Sequence, residues 1–238
     1  FFPDLQLYPN EVYVIRLLQG IEDLYGNATS LNNSYSFRTG NQNISISAID
    51  HMESGFIMNW WQPHLSGSTF GIIQDSTFIE SNSHIINHLY ESTEAMKISY
   101  GWNTNLNDWL IRIYLSGGDA REVNFNDTGI MQAYIFGDGS LNKFRFCVDD
   151  NVLSSNQSGH EVSPWYEINW VGWNLVEWDL SSDGTGVWIG DGELDGTLRF
   201  DSFQLTHNPG YDPYGSIFIE DLCIVHNIDL LIDDDAII

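Results

Sequence analysis

The apolar residues of this chain fall in short runs that a helix cannot use. Leu110-Ile-Arg-Ile-Tyr-Leu115, Ile130-Met-Gln-Ala-Tyr-Ile-Phe136 and Phe144-Arg-Phe-Cys-Val148 are rich in aromatic and branched residues. Each is closed by a turn-forming cluster: Gly117-Gly118-Asp119, Gly137-Asp-Gly-Ser140 and Asp149-Asp-Asn151. Runs of this length between Gly and Asp punctuation read as strands. Lys143, Arg145 and Cys147 alternate with Phe144, Phe146 and Val148, so one strand face is apolar and the sheet is covered on one side. Strands with no intervening helical pattern predict an all-β, antiparallel β-sandwich of the jelly-roll type rather than a parallel α/β sheet. Glu11–Gln19 can be read as helix or strand, and its Val, Tyr and Ile content tips it to strand.

Charge narrows the partners. The 238 residues hold 33 Asp and Glu against 8 Lys and Arg, a net charge of −25. Phosphate backbones repel such a chain, so nucleic acid is not an expected partner. No apolar run reaches the ~18 residues of a membrane helix, so no membrane insertion is expected. An aromatic content of 14% is foreign to disordered chains. A bound cation such as Ca²⁺ would relieve part of the repulsion; solubility accounts for the rest. Cys147 and Cys223 sit in strand-like runs and are expected to be buried free thiols.

Catalytic patterns fail on inspection. Glu177 and Asp179 would share a strand face, but the third acid of a sugar-cleaving E-x-D-x-x-E pattern is replaced by Ser182. His84 and His88 on a strand lie too far apart for one Zn²⁺. Thr69 occupies the centre of a small-residue turn where a nucleophile elbow would need serine. The chain is therefore expected not to be an enzyme.

The last third is the most informative. Ile168-Asn-Trp-Val-Gly-Trp-Asn-Leu-Val-Glu-Trp-Asp-Leu180 is dense in aromatics, and Gly215-Ser-Ile-Phe-Ile-Glu-Asp-Leu222 is an apolar run broken by two acids. A carboxylate inside such a run must be paired, hydrogen-bonded or metal-bound. Either a structural Ca²⁺ or backbone N–H donors at a strand crossing would satisfy Asp221. Together with Tyr134-Ile-Phe-Gly-Asp-Gly-Ser140 and Phe144-Arg-Phe146, these segments resemble the carbohydrate-binding modules of the galactose-binding-like jelly-roll superfamily, over about residues 50–226. Glu220 replaces the first acid of that family's final strand.

The resemblance implies a non-catalytic module that binds a glycan and holds a structural Ca²⁺ through Glu53 and Asp221. Sugars stack on exposed rings, which nominates Trp60, Trp61, Trp165, Tyr166, Tyr211 and Tyr214, while Trp173 and Trp178 are expected in the core. The net charge points to a neutral polysaccharide or oligosaccharide. A jelly-roll glycoside hydrolase or lyase, or a spacer domain with no sugar ligand, are the alternatives. The expected organisation is a leader strand or linker remnant over 1–20, the module over 21–226, and a linker or next domain from 227 to 238. Phe1-Phe-Pro-Asp4 carries no basic or apolar leader, so a mature product or excised piece is expected. The resemblance further implies a secreted or cell-surface bacterial protein with covalently linked neighbouring domains.

Overall fold

A computed structural model describes residues 11–17, 19–20, 28, 33–40, 43–87, 92–153 and 159–228. Most of the expected terminal segments, and His88, lie outside the described residues. The chain divides into two compact units, Phe1–Ser45 with Asn227–Ile238, and Ile46–His226. In the first unit, β1 (Val12–Leu17) pairs antiparallel with β2 (Asn33–Arg38), from Val12 opposite Arg38 to Leu17 opposite Asn33. Residue 20, the expected end of the leader segment, lies between these two strands.

The larger unit is an antiparallel β-sandwich. Its strands are β3 (Asn43–Asp50), shared with the first unit, then β4 (Phe78–Asn82), β5 (Ala95–Gly101), β6 (Ile111–Tyr114), β7 (Asn124–Phe125) and β8 (Ile130–Asp138). There follow β9 (Lys143–Asp150), β10 (Gly159–Val162), β11 (Tyr166–Glu167), β12 (Val171–Asp179), β13 (Leu198–Thr206) and β14 (Tyr214–Ile228). One sheet runs β10-β9-β13-β6, with β11 on β9 and β7 on β13. The other runs β12-β8-β14-β5-β4, with β3 on β14. The chain crosses repeatedly from one sheet to the other, the jelly-roll habit expected from the sequence. Helix is confined to α1 (Gly118–Arg121) and three 3-10 turns among the described residues, and none of it is long and apolar enough to cross a membrane.

Strand alternation builds the interior. Phe144, Phe146 and Val148 from β9, Phe200, Phe203 and Leu205 from β13, and Ile111 and Ile113 from β6 meet Met96, Ile98, Met131, Ala133, Ile135, Ile217 and Ile219 from the facing sheet. Phe203 is the hub. Its ring lies 4.9 Å from Phe200, 5.6 Å from Phe144 and 6.1 Å from Phe146, and Trp60 stacks on it at 5.4 Å with a 3° interplanar angle. Such ring pairs add to their area burial. Both cysteines are free, as expected; Cys147 is buried and Cys223 half-buried.

Phe203→Ala is expected to lower unfolding free energy by about 3–5 kcal/mol, the cost of emptying an aromatic site in a core. Urea denaturation of the variant measures it.

Candidate binding cleft

Burying phenylalanines on one side of β9 and β13 sends the intervening residues to the outer face of that sheet. Arg145 and Asp149 leave β9, Arg112 and Tyr114 leave β6, and Arg199 and Gln204 leave β13 on this face. Registers place them in rows. Gln204 lies opposite Arg145 on one side and Arg112 on the other. Ser202 lies between Cys147 and Tyr114, and Asp149 between Arg199 and His160 of β10. A bulge between Phe200 and Ser202 adds one residue to β13, which lets Arg199 and Ser202 share the outer face.

The result is a cleft of roughly 560 Å³ lined by Trp61, Arg112, Tyr114, Arg121, Asp149, Gly159, His160, Arg199 and Asp201. Arg112 grips the buried Asp201 with two bonds, Nε at 3.0 Å and Nη2 at 2.5 Å. Arg121 donates to Asp149 and to the Phe200 carbonyl. Arg199 donates to Asp149 at 2.9 Å, and His160 Nδ1 lies 2.8 Å from the same carboxylate. Burial would raise the Asp149 pKa, but His160, Arg121 and Arg199 overcome it and hold the carboxyl at about 2. Arg112 and Arg121 lie 4.5 and 5.1 Å from the Tyr114 ring centroid, so that ring is occupied by cations. Trp61, 41% exposed, packs edge-on against Tyr114 and leaves a free ring at the rim.

The six nominated aromatics do not form one surface. Trp60 is a correction: it is 5% exposed, stacked on Phe203, and its Nε1 donates to Asp50 at 2.9 Å. It serves the core, so it cannot be a sugar platform. Trp61 alone lines the cleft. Trp165 and Tyr166 line a separate recess with Trp170, Leu175 and Glu177 beside β11 and β12. Arg145 covers one face of Trp165 at 4.0 Å, and the Tyr166 hydroxyl donates to the Glu177 carbonyl. Tyr211, in the connection from β13 to β14, and Tyr214, the first residue of β14, are exposed beyond the end of β13 opposite Arg199. Trp178 is core as expected, whereas Trp173 is half-buried on the outer face of the second sheet against Phe136. Glu177 accepts from Gln132 and Asp179 from Ser181, both as turn and surface contacts.

Arg112, Arg121, Arg199, Asp149, Asp201 and His160 line the cleft and lie outside the set nominated from loop aromatics. Period two had already placed Arg145 on the polar face of its strand, and the same alternation marks Arg112. Arg199 and His160 needed the pairing and the bulge.

The second nominated site is mixed in its fit to a cation. Asp221 sits at a bulge in β14 with φ 51°. Its Oδ1 lies 2.7 Å from His51 Nδ1, while its buried Oδ2 and the buried Oε2 of Glu220 have no hydrogen-bond partner. Burial pushes Glu220 up to about 7 and also raises Asp221, against the pull of His51. Two orphaned buried carboxylate oxygens suit a hard cation. Glu53 contributes negative charge to both acids, but its own oxygens accept from Thr93 N at 3.0 Å and Thr93 Oγ1 at 2.6 Å. Tighter clusters occur elsewhere among the described residues: Asp150, Glu161 and Asp191, and Cys147, His160 and Asp201, each with ligand atoms within 4.8 Å. In the second, burial raises the Cys147 thiol well above its usual range and Arg112 holds Asp201, a poor setting for a thiolate ligand.

No protein-family model and no curated protein matches the chain. Among solved structures it is similar to the family 11 carbohydrate-binding module from Clostridium thermocellum in complex with a β-1,3-1,4-mixed-linked tetrasaccharide: 15% identity over 77% of this chain and 97% of that one, TM-score 0.49. It is also similar to a family 27 module from Caldicellulosiruptor saccharolyticus in complex with mannohexaose, at 12% identity over 75% and 96% of the chains, TM-score 0.39. A family 30 module from the Clostridium thermocellum cellulosome is similar at 13% identity over 70% and 90%, TM-score 0.38.

Because Asp149 titrates lower in the folded chain than its ordinary value, its contribution to stability is present above about pH 4 and is lost as pH falls toward 2. Asp149→Asn is expected to flatten the acid limb of the stability curve in that window, measured by denaturant midpoints across pH.

Proposed function

We propose that the chain is a non-catalytic carbohydrate-binding module that lays a glycan across the outer face of the β10-β9-β13-β6 sheet. The observation that supports this reading most is the cleft itself: an open strip of fixed polar groups with the exposed Trp61 ring at its rim. A pyranose presents an apolar C–H face and a belt of hydroxyls, which match a ring and charged hydrogen-bonding groups respectively. The neutral sugar chain expected from the sequence satisfies the ring. The cleft carboxylates support a binding rather than a cleaving role. A general acid needs a carboxyl raised toward neutrality, whereas Asp149 is held at about 2 and Asp201 is locked to Arg112. The same reading sets the module outside a bacterial cell, joined to neighbouring domains, where polysaccharide is met.

A structural Ca²⁺ belongs to this proposal, held by Asp221 and Glu220 with Glu53 beside them. The ion would supply the positive charge that the orphaned oxygens of the first two acids lack.

Trp61→Ala is expected to weaken glycan binding roughly tenfold or more with little change in melting temperature, since an exposed ring carries little packing energy. Trp60→Ala is expected to lose stability instead, by about 3–5 kcal/mol. Affinity electrophoresis in a panel of soluble polysaccharides, with melting curves on the same variants, checks both. Selective loss through Tyr211→Ala or Tyr214→Ala with Trp61→Ala silent would overturn the assignment to this face. Calcium addition after chelation is expected to raise the melting temperature, and Asp221→Asn to abolish the rise. No rise in the wild-type chain would remove the ion from the account.

A further inference from the structure

Rings alone do not explain the charges of the cleft. The chain has eight Lys and Arg, and four of them, Arg112, Arg121, Arg145 and Arg199, belong to this one sheet face and its edge. Asp149 and Asp201 are the carboxylates lining the cleft, so guanidinium exceeds carboxylate there. The chain has 33 acids with which to balance them. On the other sheet it does so: Lys97 is paired with Glu80 at 2.7 Å.

The surplus has free donors. Arg112 uses Nε and Nη2 on Asp201, and Arg199 uses Nε and Nη2 on Asp149. Nη1 of each has no partner among the described residues, and the two side chains are 13% and 24% exposed. Arg145 has no carboxylate partner among the described residues. Its guanidinium lies over Trp165, donates to Gln204 Oε1 at 2.8 Å and to the Val187 carbonyl at 3.3 Å. Burial pushes it down to about 10, the sign of a cation without a counter-charge. In the same row, Nε2 of the fully buried Gln204 is a donor with no acceptor.

We propose that the glycan received by this cleft carries carboxylate or sulfate groups, placed against the free guanidinium edges of Arg112 and Arg199. The inference rests on the glycan reading above and specifies its ligand. The net charge of −25 does not oppose it. Surface acids act through water and salt, where a Debye length of about 8 Å screens them, whereas a group in contact with a guanidinium is hardly screened. A planar guanidinium edge also matches a carboxylate or sulfate edge with two parallel bonds. The neutral sugar argued from whole-chain charge takes no account of where the few cations lie.

Isothermal titration with matched ligands tests it. One pair is tetragalacturonate and its carboxyl-reduced counterpart. The other is a sulfated galactan oligosaccharide and its desulfated form. The acidic member of at least one pair is expected to bind roughly tenfold tighter or more, and the pair that responds tells carboxylate from sulfate. Arg199→Gln is expected to erase that preference, read as the ratio of the two affinities within a pair, and Arg199→Lys to keep most of it; melting curves on both variants exclude a folding defect. Equal or tighter binding of both neutral members overturns the inference and leaves the glycan reading standing, as does an unchanged preference in Arg199→Gln. Failure of all four ligands and of a neutral polysaccharide panel removes both.

Discussion

Phe144, Phe146, Phe200 and Phe203 are drawn into one interior cluster, and the outer face of their sheet is a consequence of that packing. A strand cannot bury alternate residues without presenting the others. Fixing the phenylalanines therefore fixes Arg145, Asp149, Arg199 and Gln204 on the opposite side, in register with Arg112 and Tyr114. Trp60 closes the same cluster from the side and, through the adjacent Trp61, sets a ring at the rim of the cleft. A site carried by strands in this way is more rigid than one carried by loops.

On that rigid face the charges hold one another. Asp149 is shared by two guanidiniums and an imidazole, and Asp201 takes both forks of Arg112. Removing one partner from such a network leaves a buried charge exposed to its full desolvation cost. The network positions its arginines in advance, so a ligand finds donors already ordered and loses little freedom in arranging them. The same network argues against acid–base chemistry at Asp149, whose carboxyl His160, Arg121 and Arg199 hold at about 2.

The architecture was legible in the sequence because it rests on alternation and turns, which are local. Lys143–Val148 alternates and ends in Asp149-Asp-Asn151, and β9 follows that plan. The site was legible only in part. Trp61 was nominated, but so was its neighbour Trp60, because adjacent indoles look alike until the fold turns one inward. Tyr211 and Tyr214 satisfied the same criterion of an aromatic in a turn, yet lie away from the cleft. Arg199, Asp149 and His160 meet through antiparallel registers joining three strands across a bulge, a relation that no local pattern encodes. Net charge is silent on placement for the same reason: it counts cations without saying that half of them belong to one sheet face and its edge.

Whether a glycan lies on this sheet face is read from the amide and indole N–H chemical shifts of ¹⁵N-labelled protein titrated with tetragalacturonate. Shifts are expected to concentrate at Arg112, Tyr114, Asp149, His160 and Arg199 and at the Trp61 indole, with the outer face of the opposite sheet unmoved. Shifts confined to the Tyr211–Tyr214 turn or to the recess beside Trp170, with the cleft residues silent, would contradict that placement.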